Sequence, residues 1–190
     1  MYICSILIMG IPSYFSHIIR NYSNIIRSFK DLSCTQFGSL FMDCNSIIYD
    51  AVHTIPYDHN DQTSYETLVI DSVIQSIHNH LSIIKPTNNI LIAFDGVAPF
   101  AKMEQQRTRR NRTALTKILL SQTQDTQWDT SVITPGTTFM TNLSKRVQHA
   151  FENMEHKYNV SKIIVSGSNS PGEGEHKLFD FLRKQHCLNE

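Results

Sequence analysis

Two acidic residues on a short glycine-containing segment carry the clearest chemistry in the sequence. The segment Pro171-Gly-Glu-Gly-Glu-His176 follows an apolar run, Lys162–Val165, and opens a helical pattern that reaches about Gln185. The glycine between Glu173 and Glu175 lets the backbone bend so that both carboxylates can point at one spot. Because two such groups repel each other, a cation between them is expected. A hard divalent ion with oxygen ligands, Mg²⁺ or Mn²⁺, fits this requirement.

Two more acids stand after apolar runs that have the character of buried strands. Asp43 ends the run that begins at Gly38, and Asp95 follows Asn89–Phe94. Strands of a parallel sheet end at a common edge, and open α/β sheets bind their ligands there. Acids after three successive strands should therefore meet, which predicts a metal site formed by Asp43, Asp95, Glu173 and Glu175.

The alternative interpretation of these acids is structural. Asp43 would be the N-cap of a helix, and Glu173 and Glu175 would occupy a first helical turn, where negative charge is favoured. Position alone leaves both interpretations open for each acid. The repetition of the strand-then-acid pattern at three places favours the metal site.

A dense basic segment follows Pro99. At 3.6 residues per turn, four of its side chains fall within an arc of roughly 100° on one helix face, namely Lys102, Gln106, Arg109 and Arg110. Such side chains bind phosphate groups, and the segment begins a few residues after Asp95. The pattern therefore favours an anionic, phosphorylated substrate near the acids. A solvated, charged helix face without a ligand is the alternative.

Composition restricts the class of protein. The chain has 190 residues, 41% of them hydrophobic, which is enough for one domain or a large part of one. Its formal net charge is zero, so binding of nucleic acid would require a local basic patch. The cysteines lack zinc-type spacing, and the apolar start of the chain is too short for a membrane span and lacks the basic segment of a signal peptide. We expect an intracellular protein, cytoplasmic or nuclear, with reduced thiols and no membrane association.

Apolar periodicity predicts the elements around these groups. Helices with a buried side are expected after Pro12, before Pro86, after Pro99 and after Pro135. The second should bury Leu68, Ile70, Val73, Ile74, Ile77, Leu81 and Ile84, and the third should be anchored by Met103, Ala114, Leu115, Ile118 and Leu119. A polar loop over 121–134, which includes Trp128, is expected at the surface. Helices between the strands predict a parallel sheet with right-handed crossovers.

Several stretches resemble, in order, the N-terminal nuclease domain of the XRN 5′→3′ exoribonucleases. The most specific are Phe94-Asp-Gly-Val-Ala-Pro with its Lys/Gln/Arg helix, and Pro171-Gly-Glu-Gly-Glu-His176; the others are Met9-Gly-Ile-Pro-Ser-Tyr-Phe, Phe41-Met-Asp-Cys-Asn-Ser-Ile-Ile-Tyr49 and Ile133-Thr-Pro-Gly-Thr-Thr-Phe-Met. The resemblance implies a PIN/flap-nuclease-like α/β fold, in which a parallel sheet has helices on both faces in three layers. The domain would span 9–190, after an apolar extension over 1–8.

The resemblance also implies residue roles. Four carboxylates would be catalytic and hold Mg²⁺ or Mn²⁺, namely Asp43, Asp95, Glu173 and Glu175. A 5′-monophosphate of RNA would be bound by Lys102, Gln106, Arg109 and Arg110. Tyr49 stands where the family has a histidine that stacks on the terminal base, and it can still stack. Phe100 stands where the family frequently has arginine.

The resulting hypothesis is a metal-dependent 5′→3′ exoribonuclease module that hydrolyses 5′-monophosphorylated RNA. A later family motif, Leu-Asp-Ala-Asp-Leu, is missing, so we expect a domain that is incomplete at its C-terminus and is completed by a C-terminal segment or a second chain. One alternative is a flap- or PIN-like nuclease acting on DNA structures, against which the uninterrupted Asp95-Gly-Val-Ala-Pro motif argues. The other is a truncated, catalytically inactive RNA-end-binding fragment.

Overall fold

The computed structural model describes residues 13–25, 36–58, 61–119 and 128–187. The chain divides into two compact units, Met1–Gln36 and Phe37–Glu190.

The first unit contains helix α1 (Tyr14–Asn21), followed by a 3₁₀ turn over Ser23–Ile25. The helix predicted after Pro12 is therefore present. Its apolar residues recur at helical spacing and predict a buried side that includes Tyr14, Tyr22, Ile26 and Phe29, but Tyr14 and Tyr22 are exposed. The later positions of that pattern, Ile26 and Phe29, lie outside the described residues.

A parallel sheet of three strands organises the second unit. The strands are β1 (Ser39–Asp43), β2 (Asn89–Ala93) and β3 (Lys162–Ser166), and β2 lies in the middle. Asp43 pairs with Ala93, and Ala93 pairs with Ser166, so all three strands end level at one edge. This arrangement confirms the predicted α/β class with a parallel sheet.

The helices of the second unit connect and cover the strands. They are α2 (Asn45–Thr54), α3 (Gln62–Ile84), α4 (Phe100–Leu119), α5 (Thr138–Phe151), α6 (Glu155–Tyr158) and α7 (Gly174–Cys187). Two of these helices have a side-chain N-cap. Asp61 accepts a hydrogen bond from the Ser64 amide at the start of α3, and Thr137 accepts one from the Met140 amide at the start of α5. Each cap satisfies an amide that has no partner within the helix.

Helices pack on both faces of the sheet. On one face, the fully buried Ile90 and Ile92 of β2 join a core formed with α2, α3 and α5. On the other face, Phe41 of β1 contacts Phe181 of α7, with ring centroids 5.6 Å apart. Helices therefore cover both faces of the sheet, as the resemblance implied.

Three helix positions of the second unit that were expected to be buried are exposed. Leu68 is 53% exposed, because the buried stripe of α3 advances by four residues through Tyr65 and Val69 instead. On α4, Met103 and Leu115 are exposed.

Trp128, expected in a surface loop, is instead buried. Its ring packs against those of Tyr65 and Phe139, with centroids 5.6 and 5.0 Å away. A large aromatic side chain gains more from burial than its polar neighbours in sequence indicate.

Within the part of the chain that the structure describes, no helix has the length and apolarity needed to cross a bilayer.

Candidate metal and phosphate site

The carboxyl edge of the sheet gathers the four predicted acids. Asp43 is the last residue of β1 and Asp95 lies two residues beyond β2, while Glu173 and Glu175 flank the first residue of α7. That residue, Gly174, donates its amide hydrogen to Asp95 Oδ1 at 2.7 Å. A Cβ atom at Gly174 would lie 2.5 Å from Asp43 Oδ1. The glycine between the two glutamates is therefore needed for close approach to both aspartates.

Asp95 is held by protein donors on both of its carboxylate oxygens. Besides the Gly174 amide on Oδ1, Asn45 donates from Nδ2 to Asp95 Oδ2 at 2.5 Å. Asn45 Oδ1 in turn accepts the Asp95 backbone amide at 3.1 Å. This reciprocal pair fixes the carboxylate in one orientation. Asn45 was not among the predicted site residues, since its partner lies 50 residues away in sequence.

The loops that carry the acids are interlocked through their backbones. Gly96 donates to the carbonyl of Gly172, and Gly172 donates to the carbonyl of Val97, both at 2.9 Å. A Cβ atom on Gly96 would lie 1.7 Å from the Ser170 carbonyl oxygen, so no other residue fits without moving the backbone. The loop after β2 and the loop before α7 therefore form one structural unit.

Buried serines attach the second loop to the core. The Ser168 amide donates to Ser144 Oγ at 3.0 Å, and the Ser168 hydroxyl donates to the Met140 carbonyl at 3.1 Å. Both serines are buried, and buried hydroxyls of this kind are costly to leave unpaired. The segment leading to Glu173 is thereby anchored on α5.

Lys177 joins the ends of β2 and β3 beneath the acids. Its Nζ donates to the carbonyl oxygens of Phe94 at 2.7 Å and Gly167 at 2.8 Å. Burial lowers the pKa of this lysine, while the nearby Asp95 and Asp43 act in the opposite direction. Lys177 was also missed by sequence analysis, although it lies one residue beyond the recognised motif.

The acid edge carries a surplus of negative charge. The pKa of Asp43 is raised, chiefly by burial and further by Asp95, Glu175 and Glu173, against a lowering hydrogen bond from the Asn45 amide. Burial, with the charge of Asp43, raises the pKa of Cys44 to about 12, so its thiol is neutral. Mutual repulsion between carboxylates is the condition that a bound cation relieves.

Glu173, Glu175 and His176 form the tightest potential metal-binding group of the described residues. One ligand atom from each lies within 4.8 Å of the others. Glu173 is 7% exposed and the other two side chains are exposed. His176 belongs to the sequence motif but was not predicted as a ligand. Asp43 and Asp95 approach this group from the strand side without joining it at that distance.

Of the four predicted phosphate-binding residues, the structure describes the side chains of Lys102 and Gln106. Lys102, in the first turn of α4, places Nζ 3.3 Å from Glu173 Oε1, and Gln106 lies half-buried one turn later. Arg109 and Arg110 lie on the same helix, but their side chains are outside the described part of the structure. The ring predicted to stack, that of Tyr49, is exposed on α2. Phe100 begins α4 and is 80% exposed.

Sequence comparisons place the chain among known proteins. The family model for the XRN 5'-3' exonuclease N-terminus matches residues 9–190. The chain is 35% identical over 187 residues to 5'-3' exoribonuclease 1 of Saccharomyces cerevisiae, covering 92% of this chain and 12% of that protein. Human 5'-3' exoribonuclease 1 is 34% identical over 208 residues, covering 95% and 12%. A Drosophila melanogaster 5'-3' exoribonuclease 2 homolog is 30% identical over 222 residues, covering 94% and 24%. The chain thus spans about an eighth to a quarter of the length of these relatives, from 12% to 24%.

Proposed function

The chain belongs to the XRN 5′→3′ exonuclease family, and we propose that it is a metal-dependent exoribonuclease module that hydrolyses RNA bearing a 5′-monophosphate. One observation carries the proposal. Lys102, the first basic residue of α4, lies 3.3 Å from Glu173, the buried acid of the potential metal-binding group. The proposed phosphate-binding helix face would therefore begin beside the carboxylate cluster, as hydrolysis of a terminal phosphodiester requires.

The metal would be Mg²⁺ or Mn²⁺, held by Asp43, Asp95, Glu173 and Glu175. The donor set fits such an ion, because it consists of carboxylate oxygens whose negative charges are crowded, with His176 beside them. Asp95 keeps acceptor capacity for a ligand, since each ionised carboxylate oxygen has more than one lone pair. When bound, such a cation would stabilise negative charge at the phosphate and would help to activate water for the hydrolysis.

The protein's own contribution is positioning. The interlocked loops and the hydrogen bonds from Asn45 and Gly174 to Asp95 hold the acids before any ligand arrives. Preformed geometry of this kind lowers the entropic cost of the reaction. Lys102, Gln106, Arg109 and Arg110 on α4 would bind the terminal phosphate, and Tyr49 would stack on the first base.

Selectivity for the 5′ end would follow from charge. A terminal monophosphate carries up to two negative charges and exposes three oxygens, whereas an internal diester carries one charge. Several cationic donors on one helix face therefore favour the terminal group. Completion of the domain by a C-terminal segment or a second chain is part of the same proposal.

The decisive experiment follows the decay of RNA labelled at its 3′ end. We expect Mn²⁺-dependent shortening from the 5′ end of 5′-monophosphorylated RNA, and little shortening of the same RNA with a 5′-hydroxyl. Asp95→Ala should abolish it. Equal decay of both RNAs, or decay that persists with a chelator, would contradict the proposal. Binding of the phosphorylated RNA without cleavage, also after addition of the segment that follows this region in the relatives, would instead support the inactive end-binding alternative.

A further inference from the structure

Lys102 and Glu173 form a sheltered ion pair. The Nζ–Oε1 distance is 3.3 Å, and the two side chains are 26% and 9% exposed. The other Lys or Arg ion pairs of the described residues join side chains that are both exposed, among them Arg107 and Glu104 on the same helix. Exposed pairs contribute little, whereas a buried carboxylate needs a partner to remain charged. Lys102 is therefore the resident counter-ion of Glu173.

The same ion pair connects a residue of the proposed phosphate site, Lys102, with a residue of the proposed metal site, Glu173. Glu173 Oε1 faces Lys102, and Oε2 faces His176 Nδ1 at 3.7 Å, so both oxygens already have a partner. A divalent cation bound by Glu173 and Glu175 would place a second positive charge within a few ångströms of the ammonium group. At such distances like charges repel strongly in a partly buried site. Lys102 and a metal ion are thus competitors for Glu173.

We infer that Lys102 is a mobile counter-ion, which neutralises Glu173 in the metal-free chain and is released to bind the 5′-phosphate when a cation takes its place. The inference rests on the proposed function for the identity of both ligands. Lysine suits this role because its charge sits on a flexible four-carbon stem and binds as a point charge. Cation binding would then create the free phosphate-binding group that the substrate needs.

Reciprocal coupling follows from this exchange. If a cation raises the affinity for phosphate by releasing Lys102, phosphate must raise the affinity for the cation by the same factor. The coupling should disappear when either member of the pair is neutral. Glu175 provides a matched comparison, because it lies in the same turn and carries the same charge but forms no ion pair with a described residue.

The first test measures binding of a 5′-phosphorylated dinucleotide by calorimetry in metal-free buffer. Glu173→Gln should bind it about tenfold more tightly than wild type, because Lys102 loses its partner, a change that corresponds to about 1.4 kcal/mol. Glu175→Gln removes the same charge without releasing Lys102 and should change the affinity less than about threefold. Equal gains in the two variants would overturn the inference, since general electrostatics would then explain both.

The second test measures Mn²⁺ affinity by the loss of the free-ion electron paramagnetic resonance signal. Lys102→Met should bind Mn²⁺ more tightly than wild type, and its affinity should no longer respond to the dinucleotide. Arg107→Gln, which removes an exposed positive charge from the same helix, should behave as wild type. Unchanged affinity in Lys102→Met would overturn the exchange alone. Failure of wild type to bind Mn²⁺ at all would overturn both the exchange and the proposed metal-dependent function.

Discussion

The two halves of the acidic site are built differently. The strand half, Asp43 and Asp95, is fixed by hydrogen bonds within the protein, and both oxygens of Asp95 already accept one. The helix half, Glu173, Glu175 and His176, has two exposed side chains and holds its buried carboxylate through ion-pair contacts. Hydrogen bonds to backbone and amide donors set position, whereas ion pairs with flexible side chains are exchangeable. The strand half is therefore a template, and the helix half is where ligands would exchange.

The loop interlock beneath both halves predicts the largest effect. Gly96→Ala forces a Cβ atom against the Ser170 carbonyl and should lower the free energy of unfolding by roughly 3 kcal/mol, the upper end of overpacking costs. Urea denaturation measures this change. Gly38→Ala, where the added atom meets nothing within 4 Å, should stay within about 1 kcal/mol of wild type. A mild effect of Gly96→Ala would mean that the two loops are not held together as described.

Lys177 connects α7 to the ends of β2 and β3 beneath the acids, and its replacement should have the next largest effect on stability. Lys177→Met leaves the carbonyls of Phe94 and Gly167 without their donor and should cost about 1–3 kcal/mol of stability. Lys184→Met, on the exposed side of the same helix, is the matched control and should lie within about 0.5 kcal/mol of wild type. Similar melting curves for the two variants would show that the carbonyls find other partners.

The comparison between the halves is tested most directly by neutralising one acid in each. Asp95→Asn places an amide group among donors from Gly174 and Asn45, so it should lower stability by about 1–3 kcal/mol. Glu175→Gln changes an exposed side chain and should leave stability within about 0.5 kcal/mol. Its effect should appear instead as roughly tenfold weaker Mn²⁺ binding, equivalent to about 1.4 kcal/mol. Chemical denaturation and a Mn²⁺ titration of both variants separate the two roles, and a stability loss of equal size in both would remove the distinction.

The sequence reveals the acids of both halves but not all of the residues that hold them in place. Acids after apolar runs are local patterns, so the parallel sheet was predictable, and the roles assigned to those acids remain predictions that the experiments above test. Asn45 and Lys177 carry no comparable signal, because Asp95 lies 50 residues from Asn45 and Phe94 lies 83 residues from Lys177, and only the fold brings these pairs together. The predictions that Leu68 is buried and Trp128 is exposed were wrong for a related reason. Burial depends on the phase of a helix against its neighbours and on aromatic packing, which periodicity in one segment does not fix.

The smallest predicted effect is a change of stability with pH, and it comes from His78, a histidine outside the acidic site. His78 on α3 packs against the rings of Phe151 and Tyr158, and its Nδ1 contacts the Tyr158 hydroxyl. Burial, followed by the charge of Lys157, lowers the pKa of His78. The unfolded chain therefore binds a proton at this position more readily than the folded chain does. The contribution of His78 to stability should be fully present above the unfolded value of about 6.5 and should be lost as pH falls through the lowered folded value.

Urea midpoints between about pH 8 and pH 5 measure this loss, since the window contains the ordinary titration range of histidine. His78→Phe keeps an aromatic ring in the position but cannot take up a proton, so its midpoints should decline less over the lower half of the range. His53→Phe, which changes an exposed histidine, is the control and should follow wild type. If His78→Phe also follows wild type, the acid-dependent loss of stability originates elsewhere.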